Sequence, residues 1–339
     1  MSEAPPTTPA DGPPLAGLAC LVLAHEHPQQ LRLLLDALTR AGARCFLHID
    51  RRAEATRAAL LAAGLPAGVE LLPQRESFAS GWGGFGMIEA TLALMRAALA
   101  PATVPPRALC LLSGTHLPIR PAAEIAALLL DGREHADLRF ACAEPPERES
   151  LRRFWYPTLP GREQESRLLR FLNRNTWRLG RRDLARGLRG MTPMVGSQWW
   201  CMTARTASRM LEFLDANPWY VRFFRRAHIP DESFFQTLLG AAIARGTARL
   251  GPPSSYQVME GYGPRVLTAE ELSAAFASGR PFARKFDSRI APDAVSLALA
   301  GAGIHSAAPT AAAATPGRVA VAARRGRWVW SGGGWATTP

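Results

Sequence analysis

The sequence predicts an α/β fold in which a mostly parallel central sheet is flanked by helices. Short apolar segments typical of buried strands alternate with segments whose apolar residues recur at helical spacing. Strands that alternate with helices form right-handed β-α-β units and therefore parallel sheets. Polar side chains follow the first four predicted strands, at the edge where such sheets bind ligands.

The first strand and the first helix carry the clearest patterns. Residues 18–24 (LACLVLA) form a continuous apolar run, as expected of a strand buried on both faces. Leu31, Leu34, Leu35 and Leu38 then place one face of a helix in the core. The same alternation predicts strands at 45–49, 69–72 and 108–112 and helices at 53–63, at 87–99 and from Pro121 onward.

Ionisable or hydroxyl side chains stand after these four strands. They are His25, Asp50, Arg75 with Glu76, and Ser113 with His116. Because the carboxyl ends of parallel strands share one edge of a sheet, we expect these groups to form a nucleotide pocket.

A glycine-rich segment precedes the third helix. Gly81, Gly83 and Gly86 satisfy G-x-G-x-x-G, but they lie several residues beyond the third strand, not in the first βα turn. No acidic residue follows about 20 positions later, so a dinucleotide site is not indicated. We interpret the segment as a loop that packs Trp82 and Phe85 near the pocket.

The second half of the chain is predicted from three segments. Residues 194–203 (MVGSQWWCMT) are typical of a strand, on which Trp199 and Trp200 would project to opposite faces. A helix is expected at 205–215. Another helix is expected from Thr268, with Glu271 placed for a capping box.

Residues 228–239 (HIPDESFFQTLL) predict a helix with a carboxylate pair at its start. Pro230 suits the first turn of a helix, and Asp231 and Glu232 favour its positive N-terminal end. One interpretation is structural, with Asp231 as the N-cap residue and Glu232 as an ordinary first-turn acid. The other is chemical, since a carboxylate held there can accept a proton from a substrate hydroxyl.

The composition limits the classes of protein to which the chain can belong. The chain has 339 residues, and its sequence has no run approaching the ~20 apolar residues of a membrane-spanning helix. Residues 1–16 are rich in proline and predict a disordered leader, not a signal peptide. The cysteines (Cys20, Cys45, Cys110, Cys142 and Cys201) show no metal-ligand spacing, which favours reduced, buried thiols in a cytoplasmic protein.

The formal net charge of +12 is made almost entirely by arginine. Of the 40 basic residues, Lys285 is the only lysine. An ammonium group is more compact than a guanidinium, so position 285 is a candidate for a site that needs a lysine.

Residues 148–189 form a basic insert with 12 arginines against four acids and interleaved aromatic residues. Such a segment can bind an anionic membrane surface or an acidic glycan, or it can be a solvated insert whose aromatic residues pack on the main domain. Nucleic acid is not favoured, because no recognition motif accompanies the insert. We expect one domain at 17–300, comprising a nucleotide-binding half (17–145), the insert and an acceptor half (190–300), followed by a low-complexity tail at 301–339.

Seven blocks in order carry a family resemblance: LVLAHEHP, FLHID, RESFASGWGGFGMIEATLALM, LCLLSGTHLPI, GSQWWCMT, PDESFFQTLL and FARKFD. Across residues 18–290 the chain resembles the core-2/I-branching β-1,6-N-acetylglucosaminyltransferases (glycosyltransferase family 14), which also include peptide O-xylosyltransferases. The resemblance implies a GT-A-like fold, an inverting mechanism, a UDP-sugar donor, with GlcNAc as the expected sugar, and no metal or other cofactor.

The residues support the expected lack of a metal independently. GT-A enzymes that use manganese normally present D-x-D or E-x-D, and this sequence contains neither. Fixed cations can instead stabilise a leaving diphosphate. The resemblance assigns that part to Lys285 and an arginine, for which Arg249, Arg265 and Arg284 all remain candidates.

The resemblance also implies the remaining roles, with Glu232 as the base that deprotonates the acceptor hydroxyl. The expected donor side comprises His25, Asp50, Arg75, Ser113, Arg265, Arg284 and Lys285. The expected acceptor side comprises Glu76, Trp82, Trp199, Trp200 and Asp231.

Animal relatives are anchored in the Golgi membrane and disulfide-bonded, and this sequence shows neither feature. We therefore expect a bacterial-type cytoplasmic enzyme that acts on a glycan or lipid-linked saccharide, with the basic insert at the inner membrane surface. Two alternatives stay open: a xylosyltransferase that uses UDP-xylose, or a non-catalytic protein that binds polyanions or membranes on a degenerate transferase fold.

Overall fold

A seven-stranded sheet forms the centre of the computed structural model, which describes residues 12–79, 84–101, 104–141, 151–152, 154, 167–179, 181–260, 263–304, 327–331 and 334–338. The strands are β1 (Leu18–Ala24), β2 (Arg44–Ile49), β3 (Val69–Leu71), β4 (Ala108–Ser113), β5 (Leu117–Pro118), β6 (Glu134–His135), β7 (Arg139–Phe140), β8 (Met194–Val195), β9 (Cys201–Thr203), β10 (Leu250–Gly251), β11 (Ser255–Tyr256), β12 (Met259–Glu260), β13 (Gly263–Pro264), β14 (Phe282–Ala283), β15 (Arg327–Ser331) and β16 (Gly334–Thr338).

The helices are α1 (Pro28–Arg40), α2 (Glu54–Ala62), α3 (Gly86–Ala98), α4 (Ala122–Leu129), α5 (Arg167–Asn175), α6 (Leu184–Gly187), α7 (Ala204–Ala216), α8 (Pro218–Phe224), α9 (Phe234–Ala244), α10 (Leu272–Ala277) and α11 (Pro292–Gly301). Short 3-10 turns occupy Gln74–Glu76, Thr176–Leu179 and Pro230–Glu232.

The sheet has the order β3-β2-β1-β4-β9-β6-β10. β9 runs antiparallel to both of its neighbours, β4 and β6, and the other pairs are parallel. The predicted α/β class with a mostly parallel sheet is therefore confirmed. All parallel strands end at the same edge, and this carboxyl edge positions the candidate site.

The two faces of β1 contribute to two hydrophobic cores. Leu21 and Leu23 pack in a core with residues of α3, α7 and α9. Cys20 and Val22 pack in the other core with residues of α1, α4 and α11. A strand covered by helices on both faces has no position for a polar residue, which explains the continuous apolar run from Leu18 to Ala24.

Four cysteines stand beside one another on neighbouring strands. Cys20 pairs in register with Cys45 of β2 and Cys110 of β4, and Cys110 pairs with Cys201 of β9. These four thiols are free and buried, as predicted. Cys142 lies outside the described residues.

A small second sheet of order β11-β14-β5 carries the lysine-bearing segment to the carboxyl edge. β14 lies between β11, to which it is parallel, and β5, to which it is antiparallel. Two backbone hydrogen bonds continue this attachment: Arg284 N–H donates to the Tyr256 carbonyl (2.9 Å), and Phe286 N–H donates to the Thr115 carbonyl (3.0 Å).

The prediction of a single strand at 194–203 is wrong. Residues 194–195 and 201–203 form the separate strands β8 and β9, and the chain between them is irregular. Gly196 explains the interruption, because a Cβ atom there would lie 1.9 Å from the Asp137 carbonyl oxygen. The backbone of Gly196 passes close to that of Asp137 at the point where β8 ends.

Predicted helices agree with the structure to within a few residues, except that α9 begins only after the carboxylate pair, at Phe234, and α10 also starts later than predicted. α10 begins at Leu272, not at Thr268. The expected capping contact is nevertheless present, since Thr268 N–H donates to Glu271 Oε2 (3.0 Å) in the turn before the helix.

The chain ends differ in part from expectation. Residues 1–11 lie outside the described residues, but Leu15 is buried and its N–H donates to the Ala41 carbonyl (2.9 Å). The packed chain therefore starts before the predicted boundary at residue 16. At the other end β15 and β16 form an antiparallel hairpin in a segment for which the sequence predicted no structure. Within the described ranges, no helix has the length and apolar character needed to cross a bilayer.

Candidate functional site

The carboxyl edge of the sheet gathers polar groups from β1, β2 and β4. His25 and Glu26 follow β1, Asp50 follows β2, and Ser113 ends β4. The attachment of β14 adds Arg284 and Lys285 to the same edge. Residues more than 250 positions apart in the chain thus meet in one place.

The only lysine pairs with a residue that sequence reasoning missed. Lys285 Nζ lies 3.5 Å from Glu26 Oε1, and the two side chains are 32% and 35% exposed. Glu26 stands in the H-E-H-P turn directly after β1, and that position was the available signal. The pair places a compact cation at the carboxyl end of β1, within reach of solvent.

The turn after β1 is clamped to the lysine-bearing segment. His27 has a left-handed backbone conformation (φ 55°), uncommon outside glycine. Its Nε2 lies 3.1 Å from Glu26 Oε2 and 3.3 Å from Asp287 Oδ2. Asp287 also accepts hydrogen bonds from Arg289 (Nε to Oδ1 3.1 Å, Nη2 to Oδ2 2.9 Å), and these bonds lower the pKa of Asp287 to about 2. Asp287 is therefore charged and joins both segments.

Ser113 belongs to a buried hydrogen-bond chain. His116 Nδ1 accepts from the Ser113 N–H (2.9 Å) and lies 2.8 Å from Ser113 Oγ, and His116 Nε2 is 3.1 Å from Ser255 Oγ. Burial, and next the positive Arg284, hold the pKa of His116 well below its usual value. The imidazole is therefore neutral, and because an amide can only donate to Nδ1, its proton is on Nε2.

Trp199 stands between this chain and Arg284. The Arg284 guanidinium lies 4.8 Å from the centre of the Trp199 ring, and the ring makes an edge contact with His116 at 4.9 Å. Arg284 Nη1 donates to Gln257 Oε1 (3.2 Å). Burial lowers the pKa of Arg284 to about 10, so the group keeps its charge at neutral pH.

The geometry sets one of the three candidate arginines, Arg249, apart from the other two, Arg265 and Arg284. Arg249 precedes β10, which runs parallel to β6, so it lies at the amino edge of the sheet, away from the site. Arg265 pairs with Glu271. Arg284 adjoins Lys285 in the chain, and Leu267 N–H donates to the Lys285 carbonyl (2.9 Å), so Arg284 and Arg265 both lie on segments next to the lysine.

The carboxylate pair lies in the 3-10 turn before α9. Glu232 is exposed, and its carbonyl accepts from the Gly196 N–H (2.9 Å). Asp231 is buried, and its Oδ1 has no hydrogen-bond partner among the described residues. Burial and the neighbouring charge of Glu232 raise the pKa of Asp231 to about 7. The N-cap residue of α9 is Ser233, so the interpretation of Asp231 as the N-cap is wrong.

The segment 196–199 links the two parts of the site. It starts beside Glu232 at Gly196 and ends beside Arg284 at Trp199. Gln236 of α9 holds its middle, since Nε2 donates to the Ser197 carbonyl (2.8 Å). The backbone of Glu232 and the guanidinium of Arg284 therefore contact the two ends of one short, tethered stretch of chain.

Four other residues predicted for the site stand in the segments that follow β1, β2 and β3. His25 is exposed, with Nε2 3.5 Å from Glu26 Oε1. Both oxygens of Asp50 bond to Arg52 (3.0 Å each). Arg75 and Glu76 are exposed on their 3-10 turn.

The described structure does not place two of the tryptophans predicted for the acceptor side, Trp200 and Trp82, at the candidate site. Trp200 is 1% exposed and packs on Phe235 (ring centres 5.4 Å apart), because the irregular chain before β9 turns it into the core. The structure therefore does not bring Trp200 to an acceptor. Trp82 lies outside the described residues.

Two side chains that sequence reasoning missed, the buried His48 and the exposed Arg51, position the segment leading to Trp82. His48 Nε2 accepts from the Phe78 N–H (2.9 Å), and burial lowers the pKa of His48 to about 4, so it stays neutral. Arg51 Nε donates to the Ser77 carbonyl (2.9 Å). Both residues flank the end of β2, so the glycine-rich segment starts from a fixed point at the carboxyl edge.

Within the described part of the chain, no group of three or more His, Cys, Asp or Glu side chains is arranged to hold a metal ion. The charged groups at the carboxyl edge include the cations Arg51, Arg284, Lys285 and Arg289 and the carboxylates Glu26, Asp50 and Asp287, and Glu232 lies in the turn before α9. This arrangement can hold an anionic ligand by its cations and present a separate carboxylate to a neighbouring hydroxyl.

Comparisons with known proteins identify a family that the chain matches. The sequence model described as Core-2/I-Branching enzyme matches residues 18–250, a range that includes Glu232 and ends before Lys285. No curated protein matches the chain. Among solved structures the chain is similar to mouse xyloside xylosyltransferase 1 in its apo form, at 14% identity and a TM-score of 0.34, over 78% of this chain and 97% of that one.

Proposed function

The chain belongs to the core-2/I-branching enzyme family, and from that premise we propose that it is an inverting glycosyltransferase that needs no metal ion. Its donor is a UDP-sugar, with UDP-GlcNAc as the first choice, and its acceptor is a hydroxyl of a glycan or lipid-linked saccharide. One observation carries the proposal: the only lysine of the chain lies at the carboxyl end of β1, 3.5 Å from Glu26 Oε1.

The cations stabilise the negative charge of the leaving group, a part that a metal ion would otherwise have. As the bond between the anomeric carbon and the diphosphate oxygen breaks, negative charge develops on the diphosphate. Lys285 and Arg284 are fixed cations at the edge where parallel sheets bind nucleotides. Charges already held in position stabilise such a transition state without reorganisation. The absence of D-x-D and E-x-D from the sequence agrees with this division of labour.

Glu26 has a part in this donor site. Its carboxylate holds the Lys285 ammonium at the edge, and a diphosphate that binds the ammonium competes with it. His27 and Asp287 fasten the two chain segments that carry Glu26 and Lys285. Glu26 is therefore a positioning residue whose charge sets the affinity of the donor site.

Glu232 is the group proposed to take the proton. The acceptor oxygen forms a bond to the anomeric carbon, its proton passes to the Glu232 carboxylate, and UDP leaves from the opposite face. Glu232 is exposed, whereas its neighbour Asp231 is buried. Of these two carboxylates, only Glu232 is accessible to an acceptor hydroxyl, and the 196–199 segment connects its backbone to Trp199, on which the Arg284 guanidinium lies.

A donor screen tests the proposal. Purified full-length protein is incubated with UDP-GlcNAc, UDP-xylose, UDP-glucose and UDP-galactose in excess EDTA, and UDP release is measured with and without saccharide acceptors. We expect UDP release from one donor above all others. A preference for UDP-xylose would reassign the sugar and keep the mechanism. Folded protein that neither binds UDP nor hydrolyses any donor would instead indicate a non-catalytic protein on a transferase fold.

A further inference from the structure

Helix α5 in the basic insert reverses the usual arrangement of apolar and polar side chains. Leu168 is 68% exposed, Phe171 62% and Leu172 43%, whereas Asn173 is buried. Surface helices of globular proteins ordinarily bury their apolar positions and expose their polar ones. An apolar face turned outward indicates an apolar partner.

The exposed apolar residues form a defined stripe. Positions 168, 171 and 172 have the i, i+3, i+4 spacing that places side chains on one face of a helix. The helix packs through a different face, where Leu169 is half-buried and Asn173 is buried. The following turn is buried at Thr176, whose Oγ1 donates to the Asn173 carbonyl (3.1 Å). The orientation of the stripe thus follows from the packing of the opposite positions.

The chain directly after this turn is anchored to the folded domain. The Arg182 guanidinium lies 3.8 Å from the centre of the Phe223 ring of α8. It also donates to the carbonyls of Leu151 (3.1 Å) and Phe223 (2.6 Å). Asp183 then caps α6 by accepting from the Arg186 N–H (3.1 Å). The stripe therefore belongs to a fixed surface.

The sequence around the stripe is strongly basic. Arginines occur at positions 167, 170, 174, 178 and 181, and the sequence has no acidic residue from 166 to 182. An acidic glycan would match the arginines and leave the apolar stripe in water. A second copy of the chain would place like charges against one another. A bilayer with anionic headgroups matches both features, since phosphates meet the arginines and the acyl boundary accepts the apolar groups.

We propose that α5 is a membrane-binding surface on which Leu168, Phe171 and Leu172 enter the headgroup–acyl boundary of an anionic bilayer. The arginines on the same helix contact the lipid phosphates. This inference does not depend on the proposed transfer reaction. It assigns the membrane contact, which the sequence suggested for the whole basic insert, to one helix and to three apolar side chains. Composition alone does not single out these side chains.

The test is cosedimentation of the full-length protein with vesicles of phosphatidylcholine, with and without phosphatidylglycerol at about one lipid in three. Leu168→Gln, Phe171→Gln and Leu172→Gln are combined in one variant. The matched control carries Leu61→Gln, Ile290→Gln and Leu297→Gln, three apolar residues exposed elsewhere. Circular dichroism and thermal melting establish that each protein is folded.

A second pair of variants tests the charge. Arg167→Gln, Arg170→Gln and Arg174→Gln are compared with Arg205→Gln, Arg209→Gln and Arg245→Gln, which remove three exposed arginines outside the insert. Binding to anionic vesicles should fall by about 5-fold for each arginine lost from α5, and salt should weaken it.

We expect the wild type and both controls to bind anionic vesicles, and the apolar α5 variant to bind more than about 10-fold less tightly. Equal binding by the apolar α5 variant and the wild type would overturn the proposal. So would a wild-type protein that fails to bind at low salt, or that dimerises through α5 without binding lipid in a sedimentation experiment.

Discussion

Replacing Lys285 with alanine should weaken UDP binding by an amount that the structure allows us to work out. A charge-assisted hydrogen bond from the ammonium to a diphosphate oxygen contributes about 1.5–3 kcal/mol. Against this stands the existing pair with Glu26, which is one-third exposed on both sides and contributes about 0.2–1 kcal/mol. The difference is about 0.5–2.8 kcal/mol, so Kd for UDP should rise about 2- to 100-fold.

Glu26→Gln should change UDP affinity in the opposite direction. Glutamine keeps the size of the side chain and removes the charge with which the diphosphate competes. Because an exposed ion pair of this kind contributes at most about 1 kcal/mol, UDP should bind up to about 5-fold more tightly. If Glu26 only shaped the turn after β1, its replacement would leave UDP affinity unchanged or weaken it.

Lys285→Arg separates charge from shape. The net charge of the chain is unchanged, and arginine already supplies every other basic residue. If the site needs a compact ammonium, the planar guanidinium should be misplaced against the diphosphate, and both UDP affinity and turnover should fall.

Isothermal titration of UDP into full-length protein measures these changes without knowledge of the acceptor. Arg32→Ala is the matched control. Arg32 pairs with Asp36 (3.0 Å) at exposures of 33% and 29%, close to those of the Lys285–Glu26 pair. It also donates to the Ala63 carbonyl at the end of α2, a helix that runs from the carboxyl edge of the sheet back to the amino edge. This control removes one comparable cation away from the site.

Wild-type UDP affinity in Lys285→Ala would refute the assignment of the lysine to the diphosphate. Equal weakening in Arg32→Ala would show that net charge, and not the position of the ammonium, determines the affinity. Full activity and affinity in Lys285→Arg would remove the argument from the only lysine while leaving a general need for a cation at 285.

Three further outcomes are expected. Transfer should persist in excess EDTA and gain little from manganese; a complete loss that manganese restores would contradict the metal-free mechanism. Glu232→Gln should lower kcat by roughly 10²- to 10⁴-fold with UDP affinity near wild type, and unchanged turnover would leave Glu232 as a helix-start residue only. Burial raises the pKa of Asp231 to about 7, above its value in the unfolded chain, so the folded state binds its proton more tightly. Stability should therefore fall as pH rises from about 4 to about 7, and Asp231→Asn should remove part of that fall in thermal melts; an identical pH profile would show that Asp231 does not titrate in this range.

Much of the fold was predictable because its signals are local. The apolar run of β1 and the leucine spacing of α1 are set by the burial of those segments, and the structure confirms both elements. The alternation of strands and helices likewise predicted the parallel sheet with its shared carboxyl edge. The prediction of one strand at 194–203 was wrong because the strand is interrupted where Gly196 approaches Asp137. No local sequence pattern records that contact.

For the candidate site, the sequence by itself determined which residue types were available and which were unusual. It singled out Lys285 as the only lysine, Glu232 beside Asp231 at a helix start, and the absence of D-x-D. These are properties of composition and spacing, so one chain suffices to read them.

Only the tertiary structure decided which of these groups meet. Glu26 and Lys285 are separated by most of the domain, and the pairing of β14 with β5 and β11 brings them to 3.5 Å. The same packing places Arg284 beside Trp199 and packs Trp200 against Phe235, although the two tryptophans, both buried, are neighbours in sequence. A contact between distant segments depends on how whole elements stack and register, and neither periodicity nor composition contains that information.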